Sequence, residues 1–248
     1  MKVERLYRYP VKGLSPEALS RVAVQAGAPF PDDRRFALSG GVTTPARTSW
    51  QDKSNFLNLM RHEKLAALKT EYDDATTALT VKRMGKQVSR GKLNDPLGRA
   101  MIEDFFAAYM ARAVPARPRI VEADAGIALT DVETPLISMI NLASVRDLER
   151  VMGVPIDPMR FRGNIYFDSD RPWSELDWVG QDIAIGLVRC HVVEPTGRCA
   201  ATCVDPATGL RDHNVPKALQ QGFGHTNMGI YVRITSNGEI AVGDGVIH

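Results

Sequence analysis

The sequence carries few of the features that mark secreted, membrane-spanning or nucleic-acid-binding proteins. Its three cysteines, at positions 190, 199 and 203, form a sparse and odd-numbered set. A secreted disulfide framework needs a denser, paired set, so a reducing compartment is expected. Lys and Arg number 31 against 29 Asp and Glu, a net charge of +2. With the two signs interspersed, no broad field drives binding to nucleic acid or to a membrane surface, and any anion site must be local. No apolar run approaches the roughly 18 residues that span a bilayer, and Met1 to Pro10 lacks the apolar core of a signal peptide. A cytoplasmic protein without nucleic-acid or membrane partners is expected. No Gly-rich phosphate signature precedes a helix and no G-x-S-x-G occurs, which argues against nucleotide binding by that route and against serine hydrolysis.

What is present suffices for a full core. The chain has 248 residues, 44% of them hydrophobic, with 20 Gly and 15 Pro, and fits one large domain or two small ones. Strand-like segments come first, at Val3 to Tyr9, Leu19 to Val24 and Arg35 to Leu38, separated by Gly and Pro clusters. Asp52 to Met60 has helical spacing through Phe56, Leu57 and Met60. Ala66 to Tyr72 and Ala78 to Val81 read as two further strands. Asp95 and Pro96 mark a helix start, followed by the stripe Met101, Phe105, Phe106 and Met110. The basic, Pro-containing stretch 113–119 reads as a connection, so the expected partition is 1–112 and 113–248. Beyond it come a strand over Leu136 to Ile140 and a helix over Asn141 to Met152, stopped by Gly153 and Pro155. Asp182 to Val193 reads as one long strand and Met228 to Thr235 as another. Asn237-Gly238 has the composition of a hairpin turn with positive φ at both residues. Pieces around Val242 and Val246 suggest a barrel being closed. The fold class is mainly β, or α+β, with a few helices packed on the strands.

Chemistry is expected first at Cys199, in Thr196-Gly197-Arg198-Cys199. An adjacent guanidinium favours the thiolate, which attacks electrophiles and ligates soft metals; a half-buried structural cysteine is the alternative. Lys12 follows Tyr9-Pro10-Val11 where the chain turns. Arg160 and Arg162 lie two residues apart, on one side of an extended segment as read here, and would grip a phosphate. A solvated, salt-bridged stripe is the plainer reading of these cations. A zinc site from Cys199, Cys203, His213 and His225 lacks the usual paired ligand spacing.

In this order, Tyr9-Pro10-Val11-Lys12, Arg160-Phe161-Arg162-Gly163-Asn164-Ile165, Arg198-Cys199, Val204-Asp205-Pro206 and Val242-Gly243-Asp244 resemble the MOSC family, named after the C-terminal domain of molybdenum cofactor sulfurase. The first motif is similar to the N-terminal β-barrel domain that often precedes MOSC. The resemblance implies a MOSC-type β-barrel preceded by a smaller barrel-like domain. It also implies, as in the mitochondrial amidoxime-reducing members and their bacterial relatives, a molybdopterin whose metal is ligated by Cys199. Lys12, Arg47, Arg160, Arg162, Asn164 and Arg198 would then hold the anionic cofactor. The chain departs from the pattern at Gly13, where serine is frequent, and at Gly163, where proline is common and its loss implies a less rigid turn. Thr196-Gly197 stands in place of a bulkier pair, and Cys203 in place of threonine, as a relay thiol or a buried filler.

The resemblance leaves two functions open. One is a molybdenum-dependent oxidoreductase that takes oxygen from N-hydroxylated or related small-molecule substrates. Three cysteines cannot supply an iron-sulfur cluster's usual four thiolates, so its electrons would come from a separate ferredoxin or flavin reductase. The other is a sulfur carrier holding persulfide on Cys199, received from a cysteine desulfurase. No lysine marks a Schiff base, so any pyridoxal phosphate would belong to that partner.

Overall fold

A computed structural model describes residues 1–42 and 45–248. Eight strands run as β1 (Lys2–Arg8), β2 (Glu17–Leu19), β3 (Arg21–Val24), β4 (Phe36–Ser39), β5 (Leu68–Asp73), β6 (Ala78–Arg83), β7 (Lys86–Lys92) and β8 (Arg119–Glu122), with helix α1 (Pro96–Met110) between the last two. The remainder holds β9 (Ile137–Asn141), α2 (Leu142–Met152), β10 (Ile165–Asp168), β11 (Asp182–Ile185), β12 (Val188–Gly197), α3 (Val215–Phe223), β13 (Asn227–Ile234), β14 (Gly238–Ala241) and β15 (Val246–Ile247). The fold is mostly β, as its alternating segments require.

The main sheet has the order β15-β11-β12-β13-β9-β10-β1-β2. Its pairs are antiparallel except β9 with β10. It curls until its far edge returns to β1: Val3 N donates to Asp244 O at 2.9 Å, Gly243 N to Val3 O at 2.8 Å and Val246 N to Met1 O at 3.0 Å. The concave side holds the alternate residues of these strands, among them Val3, Phe167, Ile185, Cys190, Val192 and Ile230, all without solvent exposure. Helices α2 and α3 cover the other face over Ile140, Leu148, Tyr166, Leu219 and Met228. Strands of the first 112 residues share sheets with later ones: β1 pairs β10, β3 pairs β14 and β4 pairs β8.

A second body is built on the sheet β5-β6-β7, with α1 laid across it over Leu79, Ile102, Phe106 and Met110. Asp95 caps α1 through Gly98 N at 2.8 Å, with Pro96 in the first turn. The helix comes so near β7 that a Cβ on Gly91 would stand 2.1 Å from Gly98 O, and one on Gly98 would stand 2.3 Å from Lys92 N. Asn141 caps α2 through Ala143 N at 3.0 Å, and Gly153 ends it at φ 69°.

Four local expectations are corrected. Asp52 to Met60 is not a helix; a 3₁₀ turn over Lys53–Asn55, capped by Asp52, gives way to extended backbone at Phe56, which bridges Ser39. Asp182 to Val193 is two strands, because Gly186 adopts φ 57° and turns the chain at Leu187, which is 94% exposed. Asn237-Gly238 makes no hairpin and neither residue has positive φ: β14 pairs with β3, and Asn237 Oδ1 accepts from Ala26 N at 2.9 Å. Arg160 and Arg162 do not lie on an extended segment, since Pro158–Phe161 is a 3₁₀ turn and Arg162 follows it at φ 50°.

Candidate cofactor site

The turns leaving β1, β12 and the 158–161 segment converge on one cavity of about 350 Å³. Lys12, Arg160, Arg162, Asn164, Arg198 and Cys199 all line it. Six basic and three acidic side chains face it, so a nearly neutral chain concentrates positive charge there.

Lys12 is carried beside β4, its N–H bonded to Phe36 O at 2.8 Å. The residue is 5% exposed, and its ammonium donates to Leu129 O at 2.8 Å and Asp131 Oδ1 at 2.5 Å. Burial pushes its pKa down, Asp131 opposes this, and Arg34 and Arg162 add to it. Arg160 is held by Asp212 at 2.6 Å and Asp205 at 3.2 Å, and donates to Cys203 O at 3.3 Å. Arg162 is held differently. Its Nη1 donates to Leu14 O at 2.9 Å and its guanidinium carbon sits 4.1 Å from the centre of the Tyr9 ring. No carboxylate pairs with it among the described residues, and burial pulls its pKa down to about 10.

The thiol loop begins where β12 loses register with β13, between Val192 and Glu194 and again between Pro195 and Gly197. Such bulges re-aim the side chains that follow. Arg198 then turns back into the protein, donating to Met228 O at 2.9 and 2.5 Å and to Phe161 O at 2.9 Å. Its guanidinium anchors the loop to backbone. Cys199 is free and partly exposed, and opens a 3₁₀ turn over Ala200–Cys203, its carbonyl accepting from Thr202 N at 3.1 Å and Thr202 Oγ1 at 2.9 Å. Cys203 is also free but does not line the cavity. Asn164 acts on the scaffold: Ser138 Oγ donates to its Oδ1 at 3.2 Å, and its Nδ2 donates to Tyr7 O at 3.2 Å. At Gly163 the N–H donates to Tyr166 Oη at 2.9 Å, a bond proline could not make, so this turn is tied rather than loosened.

Arg47 stands outside the cavity. It is exposed, donates to Glu122 O at 3.0 Å and faces Asp124 at 3.5 Å. Cys199, Cys203, His213 and His225 do not gather: no group of three or more His, Cys, Asp or Glu suited to a metal occurs among the described residues. The reading of single residues missed Arg34, Asp131, Thr196 and Tyr231, which also line the cavity. Only Pro31-Asp32-Asp33-Arg34, a turn dense in charge, signalled the first of them.

An anionic group fits what is left unpaired. Arg160 Nε, Arg162 Nη2 and Thr196 Oγ1 are buried polar atoms without a hydrogen-bond partner among the described residues, and all three belong to residues of the cavity wall.

Comparison with known proteins gives these residues a lineage. The model of the MOSC N-terminal beta barrel domain matches residues 1–110, and the model of the MOSC domain matches residues 132–247. The chain belongs to the MOSC family. As a MOSC protein it is similar to the molybdenum cofactor sulfurases of Anopheles gambiae, 33% identical over 79 residues, and Homo sapiens, 29% over 107 residues. These matches cover 32% and 38% of the MOSC chain but only 10% and 12% of the relatives. Among solved structures, YUAD from Bacillus subtilis aligns over 99% of this chain and 93% of its own at 12% identity and a TM-score of 0.44. YiiM from Geobacillus stearothermophilus aligns over 45% and 52% at 22% identity and a TM-score of 0.35. No helix among the described residues of this MOSC protein is long and apolar enough to cross a membrane.

Proposed function

We propose that the cavity binds the molybdenum cofactor and that the protein is an oxidoreductase removing oxygen from small N-hydroxylated or related substrates, with electrons from a separate ferredoxin or flavin protein. The observation that carries this reading is that Cys199 and the buried cations Lys12, Arg160 and Arg162 line one cavity. A sulfur carrier needs an accessible thiol; a cofactor enzyme needs the thiol and a grip on an anion together.

When bound, the cofactor supplies the redox chemistry of its metal, and the chain's part is to hold and tune it. Arg162 Nη2 and Thr196 Oγ1 offer unpartnered donors to anionic oxygen. Asp205 and Asp212 fix the plane of Arg160, and Asp131 fixes Lys12. Arg198, tied to Met228 and Phe161 carbonyls, fixes the backbone that presents the Cys199 sulfur as the one protein ligand.

A second reading has its own support in the relatives' name, molybdenum cofactor sulfurase, and in the partial exposure of Cys199. Here the Cys199 thiolate attacks the terminal sulfur of a desulfurase persulfide, releasing the desulfurase thiolate and leaving persulfide on Cys199. Pyridoxal phosphate would belong to that partner.

Elemental analysis and pterin fluorescence separate the two, on protein from a host that makes the cofactor. Near-stoichiometric molybdenum and pterin are expected in the wild type, at least about tenfold less of both in Arg162→Ala, and pterin with altered metal content in Cys199→Ala. Absence of both from wild type, in a host that loads a control molybdoenzyme, sinks the cofactor reading and turns attention to persulfide on Cys199 by mass spectrometry.

A further inference from the structure

Among the described residues, Arg211 is the one side chain that hydrogen-bonds both the 59–63 segment and the turn after Cys199. Its Nη1 donates to Ala200 O at 2.8 Å, and its Nη2 to Met60 O at 2.7 Å and Leu59 O at 3.3 Å. Glu63 Oε2 stands 3.4 Å away. Leu59 and Met60 line the cavity, as do Cys199, Ala201 and Thr202, whereas Arg211 does not. No other hydrogen bond reaches the Leu59 or Met60 carbonyl among the described residues. From outside the cavity, this guanidinium therefore ties together two stretches of its wall that come from different halves of the chain.

The loop that carries Arg211 is built to hold it in place. Asp205 Oδ1 accepts from Ala207 N at 2.9 Å and from Thr208 N at 2.7 Å, and Asp205 N donates to Leu210 O at 2.8 Å. Gly209 turns the chain at φ 73°, so near the first half that a Cβ there would stand 3.0 Å from Ala67 N. Arg211 then bridges back to Val204. Asp205 and Asp212, at the two ends of this loop, hold Arg160, so one loop both aims a cation of the cavity and fastens the turn that follows its thiol. A planar fork suits the task, since it sends N–H groups in fixed directions to carbonyls on separate segments, which an ammonium does not. Because Arg211 is exposed, water competes for these bonds, and the tie can open locally while the core stays folded.

We propose that Arg211 is a positioning residue, a clasp that holds the turn after Cys199 to the Leu59–Met60 wall and limits access to the thiol. The proposal rests on Cys199 as the working thiol of the cavity, which both readings of the function share.

The test is the rate at which iodoacetamide alkylates Cys199 in the full chain, wild type, Arg211→Ala and Arg211→Lys, prepared from a host that does not make the cofactor and followed by peptide mass spectrometry across pH. The alkaline plateau of the rate reads access and its midpoint reads the thiolate, which separates the two effects of removing a cation. The plateau is expected to rise about fivefold in Arg211→Ala, and by less in Arg211→Lys, with Cys190 still unlabelled before urea. Amide hydrogen exchange should quicken over 58–63 and 199–203 together, because one side chain restrains both. An unchanged or slower plateau overturns the clasp, as does exchange that leaves either segment unmoved. A rise that Cys190 shares also overturns it, since Arg211 would then be a general support of the fold. If Arg211→Ala does not fold, Arg211→Lys decides, and a plateau equal to that of the wild type overturns the proposal. No arm requires molybdenum: a wild type that takes up none from a cofactor-making host defeats the cofactor reading alone, and unchanged access to Cys199 in a molybdenum-binding protein defeats the clasp alone.

Discussion

The ammonium of Lys12 meets the carboxylate of Asp131 across 2.5 Å, although 119 residues separate them in the chain. The pair joins the strand exit after β1 to the segment before β9, and among the described residues it is the only carboxylate contact of a lysine that is otherwise enclosed. Asp131→Asn should lower stability at pH 7 by about 1–2 kcal/mol, less than for a fully buried pair because Asp131 is half exposed. Burial raises the Asp131 pKa, but Lys12, Lys53 and Arg34 outweigh it and hold the carboxyl below its ordinary 3.8. Its contribution is therefore complete above that value and is lost as pH falls through the depressed pKa. Urea unfolding across acid and neutral pH checks both points; equal stability of variant and wild type at neutral pH would remove the pair from the account.

Arg47 gives the converse expectation. It lies outside the cavity and bonds Glu122 and Asp124 at the surface. Arg47→Ala should leave molybdenum and pterin content unchanged and move stability by no more than about 0.5 kcal/mol. A substantial loss of cofactor would place it back in the site.

The three thiols should react in a fixed order. Cys190 is fully buried in the barrel interior, where burial pushes its thiol up to about 12, while Cys199 and Cys203 are partly exposed. Iodoacetamide on the native protein at mildly alkaline pH is expected to label Cys199 and Cys203, and Cys190 only after urea. Peptide mass spectrometry reads this out. Cofactor-loaded protein should protect Cys199 alone, and its labelling there would contradict its role as a ligand.

Glu175 supplies a pH dependence of opposite sign. It is fully buried, accepting from Asn141 Nδ2 at 2.8 Å and Ser144 Oγ at 2.8 Å. Burial raises its pKa above the ordinary 4.5 despite those bonds. Because the folded state holds this proton more tightly, the carboxyl stabilises most at pH below 4.5, and that contribution is lost as pH rises through the raised value. Glu175→Gln, neutral throughout, should flatten this fall between mildly acidic and neutral pH. Parallel pH profiles for the two proteins would show that the carboxyl is already charged at no penalty.

Helices α1 and α2 were legible because their end signals are local in sequence, Asp95-Pro96 at the start of α1 and Asn141 and Gly153 at the two ends of α2, whereas α3 (Val215–Phe223) was not read. Strand β7 was not, since Lys86–Lys92 is a polar edge strand with almost no inward face, and nothing in its alternation separates it from a loop. The split at Gly186 was hidden by alternation that runs on across the turn. At the site, Lys12, Arg160, Arg162, Arg198 and Cys199 were readable from ordered motifs, yet what each cation does was not. Arg198 turns to backbone carbonyls, and Arg34 and Arg162 both sit over the Tyr9 ring, with guanidinium carbons 4.3 and 4.1 Å from its centre. Those roles arise only when segments far apart in the chain meet.

The seam at which Gly243–Val246 returns to Met1–Val3 has a kinetic consequence. The barrel cannot be sealed by local pairing alone, because β1 must find β10 and, although its C-terminal half pairs with nearby β2, its Met1–Val3 end must find a segment some 240 residues away. Loops of that length pay their closure entropy before any contact rewards them. Sealing of the barrel is therefore a late event in folding, in the millisecond-to-second regime of strand-rich topologies rather than the microseconds of helical bundles. Until it is complete, the barrel lining stays open to water and to other chains, and the loops that carry Lys12 and Cys199 have no fixed frame to hold them together.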